Sequence, residues 1–257
     1  MRELLNYTIQ KIDSGKPALL FIHPLGADLH FWDECIALLS PHRTCIACDL
    51  RSAGESMRSI GPVSVEECVG DLERLRSTLN IDRVILVGCA IGSMVATAYA
   101  DQHPGRTSAL ILSNPGPRIE PAAGAALEDR AARVQAGGMQ AILPDAVDNA
   151  FHRQPKDKRY DDYMDRFSRQ DAAAYAQSAR GFAGLDVTQA LQRVACPTLL
   201  VAARHDRLLP PAVASQTREL LPRSEYAILE QAAHFAPFQR PVEFTELILD
   251  FIAGNGL

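Results

Sequence analysis

The segment Val84-Ile85-Leu86-Val87-Gly88-Cys89-Ala90-Ile91-Gly92-Ser93-Met94 combines an apolar run, a Gly-x-x-x-Gly turn and a helix-forming stretch. A strand–turn–helix joint of this kind lifts its central residue above a sheet, where a serine or cysteine can attack a carbonyl carbon. The central residue here is Ala90, and a methyl group cannot attack. Two neighbours carry nucleophilic atoms. Cys89 comes one position early, which aims its side chain away from the reacting position and predicts a buried structural thiol. Ser93 lies one turn into the helix and predicts a packing residue. Downstream, Asp206 follows the apolar run Thr198–Ala202, and His234 follows the run Tyr226–Leu229. A histidine backed by a carboxylate is a general base, because the carboxylate fixes the imidazole tautomer and stabilises its cation. Phe21-Ile22-His23-Pro24-Leu25-Gly26 closes an earlier strand-like run. The backbone N–H groups of Leu25 and Ile91 are candidates to hold negative charge developing on an oxygen, whereas Pro24 has no N–H to give.

These residues need a scaffold that brings distant segments together. Strand-like runs at about Leu5–Ile9, Ala18–His23, Thr44–Cys48, Arg83–Val87, Ala109–Leu112, Thr198–Ala202 and Tyr226–Leu229 alternate with helix-period segments, the pattern of a mostly parallel, doubly wound α/β sheet. Their near-continuous apolar content implies strands covered on both faces. Ser64-Val65-Glu66-Glu67 reads as a capping box that opens a helix to about Leu79. Further helices are expected at about Leu29–Leu39, Ala90–Gln102, Pro211–Leu221 and Pro241–Ile252. The alternation breaks over residues 117–194, which carry Ala-, Arg- and Asp-rich helical patterns without a convincing strand, and resumes at Cys196-Pro197-Thr198. A helical cap over 117–194, inserted into a core of residues 1–116 and 195–257, is expected. Asp49 to Ser56 predicts a turn held by Asp49 and Gly54.

Composition narrows the class of function. The 257 residues are 47% hydrophobic and 22% charged, as in a globular protein with a full core. Scaling predicts roughly 11,000 Å² of folded surface for a chain of this mass. The net charge is −5, and the longest basic cluster, Lys156-Asp157-Lys158-Arg159, is interrupted by an acid, so no nucleic-acid partner is expected. No run approaches the roughly 18 apolar residues of a membrane span, and Met1-Arg2-Glu3-Leu4-Leu5-Asn6 carries no export signal. Six scattered cysteines in mainly apolar surroundings suit a reducing, cytoplasmic setting. Cys45-Ile46-Ala47-Cys48 has C-x-x-C spacing but lies in a strand without a second ligand pair, which argues against a metal or redox site. Base and oxyanion donors can all come from protein groups, so neither a metal nor an organic cofactor is expected. Nothing in the sequence fixes an oligomeric state.

Taken together, the elbow around Ala90, Asp206 and Ala232-Ala233-His234 resemble the α/β-hydrolase fold superfamily. Pro24-Leu25-Gly26-Ala27-Asp28-Leu29-His30-Phe31-Trp32, Leu112-Ser113-Asn114 and Val134-Gln135-Ala136-Gly137-Gly138-Met139 are similar to the 3-oxoadipate enol-lactonase group along the whole chain, the cap included. The resemblance implies a hydrolase of a small ester or lactone, working by a Ser-His-Asp triad through an acyl-enzyme. It puts the nucleophile position at Ala90, the acid at Asp206 and the base at His234. Ser52-Ala53-Gly54 departs from that family's Gly-His-Gly. Carbon–carbon bond and amide hydrolases share the scaffold and remain alternatives.

Three accounts of Ala90 stand open: a serine replaced by alanine so that substrate is held without turnover, a natural pseudoenzyme serving as a binding module, or a lyase or proton-transfer enzyme that uses His234 alone. Retention of both Asp206 and His234 favours the first. A pocket is expected between the cap and the loops carrying Leu25, Trp32, Ala90, Ile91 and His234. Its small-molecule ligand is expected to be partly apolar and carboxylated, with Arg133, Arg153 or Arg180 of the cap as anion partner.

Overall fold

The computed structural model describes residues 4–12 and 15–257. The export-signal reading rests in part on Met1-Arg2-Glu3, which lie outside the described residues. The accessible surface is 10972 Å², close to the value scaling predicts.

Among the described residues seven strands, β1 (Tyr7–Gln10), β2 (Ala18–Ile22), β3 (Cys45–Cys48), β4 (Val84–Cys89), β5 (Thr107–Ser113), β6 (Thr198–Ala203) and β7 (Glu225–Leu229), form one sheet in the order β1-β3-β2-β4-β5-β6-β7. Among the described residues only β1 runs antiparallel to its neighbour, with Tyr7 opposite Cys48. β2 to β6 are buried along their whole length, and their alternate residues feed two cores. Leu19, Phe21, Ile85 and Val87 face one layer; Leu20, Ile22, Leu86 and Leu110 face the other. The same alternation separates Cys45 and Cys48, three residues apart, onto opposite faces. Burial pushes the Cys45 thiol up to about 12 and Cys48 higher still. The two share no site.

Helices α1 (Asp33–Leu39), α2 (Val65–Thr78), α3 (Ile91–Gln102), α8 (Thr188–Arg193), α9 (Pro211–Leu220), α10 (Ala236–Gln239) and α11 (Pro241–Gly254) flank the sheet; α4 (Pro121–Gly137), α5 (Asp145–Ala150), α6 (Lys158–Ser168) and α7 (Ala172–Phe182) lie between β5 and β6. The capping box opens α2 as the sequence predicts, with Ser64 Oγ accepting from the Glu67 amide and Glu67 reaching back to the Ser64 amide. The stretch expected as a cap divides in two. A bridge between Arg118 and Asp186 and paired hydrogen bonds, Ile119 N to Leu185 O and Val187 N to Pro117 O, close the base of the insertion. Beyond them α8 rests against α3 and α9, with Ala190 and Leu191 in the core.

Chain order creates the site. The chain leaves β2 for β3 on one side and returns to β4 on the other, so the ends of β2 and β4 diverge and open a crevice beyond the sheet. Leu25 and Ala90 emerge there. Asp49, at the end of β3, fixes the neighbouring loop through the amides of Leu29 and Glu55 and the Asn6 side chain. Gly54, at φ +47°, packs so closely on that carboxylate that a Cβ would lie 2.2 Å from its oxygen.

Candidate active site

The β4–α3 turn is fixed by two glycines. A Cβ on Gly88 would lie 2.4 Å from the Gly92 carbonyl oxygen, and one on Gly92 would lie 2.2 Å from the Ile22 carbonyl oxygen. Both contacts are with backbone, which cannot yield, so only glycine allows β4, α3 and β2 to approach this closely. Between them Ala90 takes φ +50° and ψ −114°, with its amide donating to Ser113 O at 3.0 Å. That conformation is costly for a residue with a Cβ. It presents the Ala90 methyl to the cavity.

The two neighbouring nucleophiles are committed elsewhere. Cys89 is fully buried, and desolvation, aided by the Asp206 charge, pushes its thiol well above the ordinary range. Ser93 Oγ lies 3.0 Å from Gly88 O and 2.8 Å from Ser113 O, sharing its one proton between carbonyls that tie the turn to β5.

Asp206 and His234 meet at the ends of β6 and β7. Asp206 Oδ2 lies 2.9 Å from His234 Nδ1 and also accepts from Asn114 Nδ2 at 2.8 Å; Oδ1 accepts from the amides of Leu208 and Leu209. Burial acts to raise its pKa, but the His234 ring, the Leu209 amide and Asn114 together hold the carboxyl below the ordinary carboxylate range. An ionised Asp206 makes His234 Nδ1 the protonated nitrogen and leaves Nε2 with its lone pair. The loop carrying His234 is fixed by Gln239, whose Oε1 accepts from the Ala233 amide and whose Nε2 donates to Ala150 O. Asn114, noted in the sequence only as part of the Leu112-Ser113-Asn114 similarity, and Gln239 were not expected at the site. The signal for Asn114 was its place immediately after β5, where it takes φ +49° and its side chain bridges Asp206 and Ala233 O.

Leu25, Ala90, Ile91 and His234 line one cavity of about 190 Å³ between the sheet and the insertion. The Leu25 and Ile91 amides donate to no backbone or side-chain acceptor among the described residues. Tyr163 and Phe167 of α6 form part of the insertion's wall, and the Tyr163 hydroxyl donates to Gly26 O at 2.9 Å.

Trp32 is elsewhere. It is fully buried among Phe21, Phe31 and Phe244, inside the core. The three expected cap arginines are also directed away from the cavity. Arg133 donates to Ala141 O, Arg153 sits exposed in a turn at φ +58°, and Arg180 pairs with Glu128 and donates to Gln135. Arg118 and Arg130 line the cavity instead. Arg118 pairs with Glu120 at 2.7 Å. Arg130 has the Tyr175 hydroxyl 3.5 Å away and no carboxylate partner among the described residues. Helix phase explains the correction: Ala123, Ala126, Leu127 and Arg130 recur at i, i+3, i+4 and i+7 on one face of α4. Among the described residues no group of three His, Cys, Asp or Glu side chains could hold a metal ion, and no helix is long and apolar enough to cross a membrane.

Comparison with known proteins agrees with this architecture. The family described as alpha/beta hydrolase fold matches residues 17–159 and 145–241. The chain is 26% identical over 248 residues to 3-oxoadipate enol-lactonase 2 of Acinetobacter baylyi, covering 95% of this chain and 91% of that protein. The enol-lactonase of Burkholderia xenovorans LB400 superimposes with a TM-score of 0.90 at 26% identity, covering 97% of this chain and 96% of that one. A thermophilic esterase from Thermogutta terrifontis shares the fold, with a TM-score of 0.89 at 24% identity over 98% of this chain and 93% of that one.

Proposed function

Because the chain belongs to the alpha/beta hydrolase fold family, we propose that its cavity receives a small ester or lactone and that Ala90 occupies the position from which a serine would attack it. The observation that carries this reading is the Asp206–His234 pair at 2.9 Å, facing the same cavity as an elbow at φ +50° and two unengaged amides. With a hydroxyl at position 90, His234 Nε2 takes its proton as the oxygen attacks the carbonyl carbon. The Leu25 and Ile91 amides hold the resulting oxyanion, and the imidazolium then returns the proton to the leaving oxygen. Water, deprotonated by the same imidazole, releases the acyl group. Asp206 stays ionised throughout and keeps the ring oriented.

With alanine at position 90 the chain binds such a substrate and does not form the acyl-enzyme. Arg130, on the cavity wall without a carboxylate partner among the described residues, supports a ligand carrying a carboxylate at the end remote from the reacting carbonyl. The test is Ala90→Ser assayed on esters, enol-lactones, amides and vinylogous diketones. Hydrolysis of an ester or lactone above the others supports the reading. A serine form that hydrolyses none of the four classes overturns it.

A further inference from the structure

We propose that the chain with alanine at position 90 is itself a proton-transfer catalyst, which enolises small carbonyl compounds with His234 as base and the Leu25 and Ile91 amides as enolate holders. This rests on the same site assignment as the hydrolase reading and concerns what that site does without a nucleophile.

Every group needed to move a proton next to a carbonyl is retained, and every group that could attack the carbonyl is absent or engaged. Ala90 offers a methyl, Cys89 is sealed in the core, and Ser93 is bonded to two carbonyls. His234, by contrast, has Nδ1 paired with Asp206 and its ring on the cavity. No hydroxyl at position 90 competes for Nε2. A carbonyl oxygen held by the Leu25 and Ile91 amides puts its carbon over the Ala90 methyl, and a C–H on the adjacent carbon becomes the group presented to the imidazole. An apolar cavity wall strengthens the hold of the amide donors on the enolate oxygen by excluding water.

The step balances without any other reactant. The His234 Nε2 lone pair takes the proton from the α-carbon, the C–H pair becomes a C=C bond, and the carbonyl π pair moves to oxygen, where the two amides hold it. Return of the proton from the imidazolium to the same carbon exchanges it. Return to a conjugated carbon isomerises the compound. Arg130 and the Tyr175 hydroxyl, on the wall of the same cavity, favour a ketone that also bears a carboxylate. Asp206 is a positioning residue here, since its carboxylate bonds the imidazole, Asn114 and the Leu208 and Leu209 amides and does not line the cavity.

The test is proton exchange in D2O, followed by NMR, with 4-oxopentanoate and its uncharged counterpart hexan-2-one as probes. The expected result is exchange of the protons α to the ketone at least tenfold faster than in buffer alone. Arg130→Met should slow exchange of 4-oxopentanoate at least tenfold more than it slows exchange of hexan-2-one. Both His234→Ala and His234→Gln should return exchange to the buffer rate, with melting curves showing that they fold. Exchange at the buffer rate for both ketones, or exchange that survives in a folded His234 variant, overturns the proposal. Ester hydrolysis by Ala90→Ser separates the two readings. Hydrolysis by the serine form without exchange by the parent chain defeats enolisation alone, and absence of both defeats the site assignment.

Discussion

The β4–α3 turn and the loops after β6 and β7 line the same cavity and are built on opposite principles. Around Ala90 the backbone is over-determined. Two glycines exclude any Cβ, a non-glycine residue is held at φ +50°, and Ser93 locks the turn to β5, all to present a methyl group. Around His234 the backbone is ordinary and the side chains carry the order: Asp206, Asn114 and Gln239 form a buried hydrogen-bonded set that orients one imidazole. Geometry without a reactive group stands opposite a reactive group with its geometry. Chemistry at such a site is therefore one atom away on one side and already present on the other.

The largest effect expected from breaking this contrast comes from Ala90→Ser, which supplies the missing atom. Loss of the nucleophile from a serine hydrolase costs on the order of 10⁶ in turnover, so ester or lactone hydrolysis should rise by a comparable factor. Cys89→Ser, one residue away, should give none of it in the same assay. Next is Asp206→Asn in the serine background, where the wrong tautomer should lower kcat by about 10⁴-fold. The same substitution should alter the acid limb of stability. Because the folded carboxyl is held below its ordinary value, its stabilisation is complete above about pH 4 and is lost as pH falls through the lowered folded value. Melting temperatures of Asp206→Asn should accordingly fall less steeply than those of the parent below pH 4.

Smaller changes test the turn and the wall. Gly92→Ala drives a Cβ into the Ile22 and His23 carbonyls and should cost about 3 kcal/mol, read as a lower denaturant midpoint. Arg130→Met should weaken a carboxylated ligand roughly tenfold to a hundredfold in calorimetry while leaving its uncharged analogue unaffected. Ala90→Gly should raise stability by about 1 kcal/mol, since glycine relieves the positive φ at some cost in chain entropy. A neutral or destabilising result would remove strain from the account of the turn.

The centre of the sheet was legible because β2 to β6 are buried on both faces and so read as unbroken apolar runs between glycine and proline breaks. The fold positions of Ala90, Asp206 and His234 were legible for a related reason: each lies at the end of such a run. The cavity wall was not. Arg130 and Arg133 differ by less than one helical turn, and only the packing of α4 against α7 decides which of them faces inward. Trp32 misled because an aromatic residue after a strand-end loop has the same local pattern whether it lines a pocket or, as here, packs on Phe21 and Phe244. Asn114 and Gln239 were hidden because their partners lie in other segments of the chain.

The insertion's ties to the core are unevenly shared, and this has a mechanical consequence. A Cβ on Gly181 of α7 would lie 1.9 Å from the Val63 carbonyl oxygen, so that helix sits backbone to backbone on the segment before α2. α6 is tied through Tyr163 to Gly26 and through Arg159 to Glu34, and the end of α5 through Ala150 to Gln239. α4, the longest of the four, buries only Gly124, Ala131 and Val134 and leans on α7. It is the free arm of the assembly, and its amides should exchange with solvent before those of α7. Arg130 sits on that arm. The charge that attracts a carboxylate thereby doubles as a handle, since a ligand held at both ends would draw the loosest wall against the fixed ones and close the cavity by its own binding.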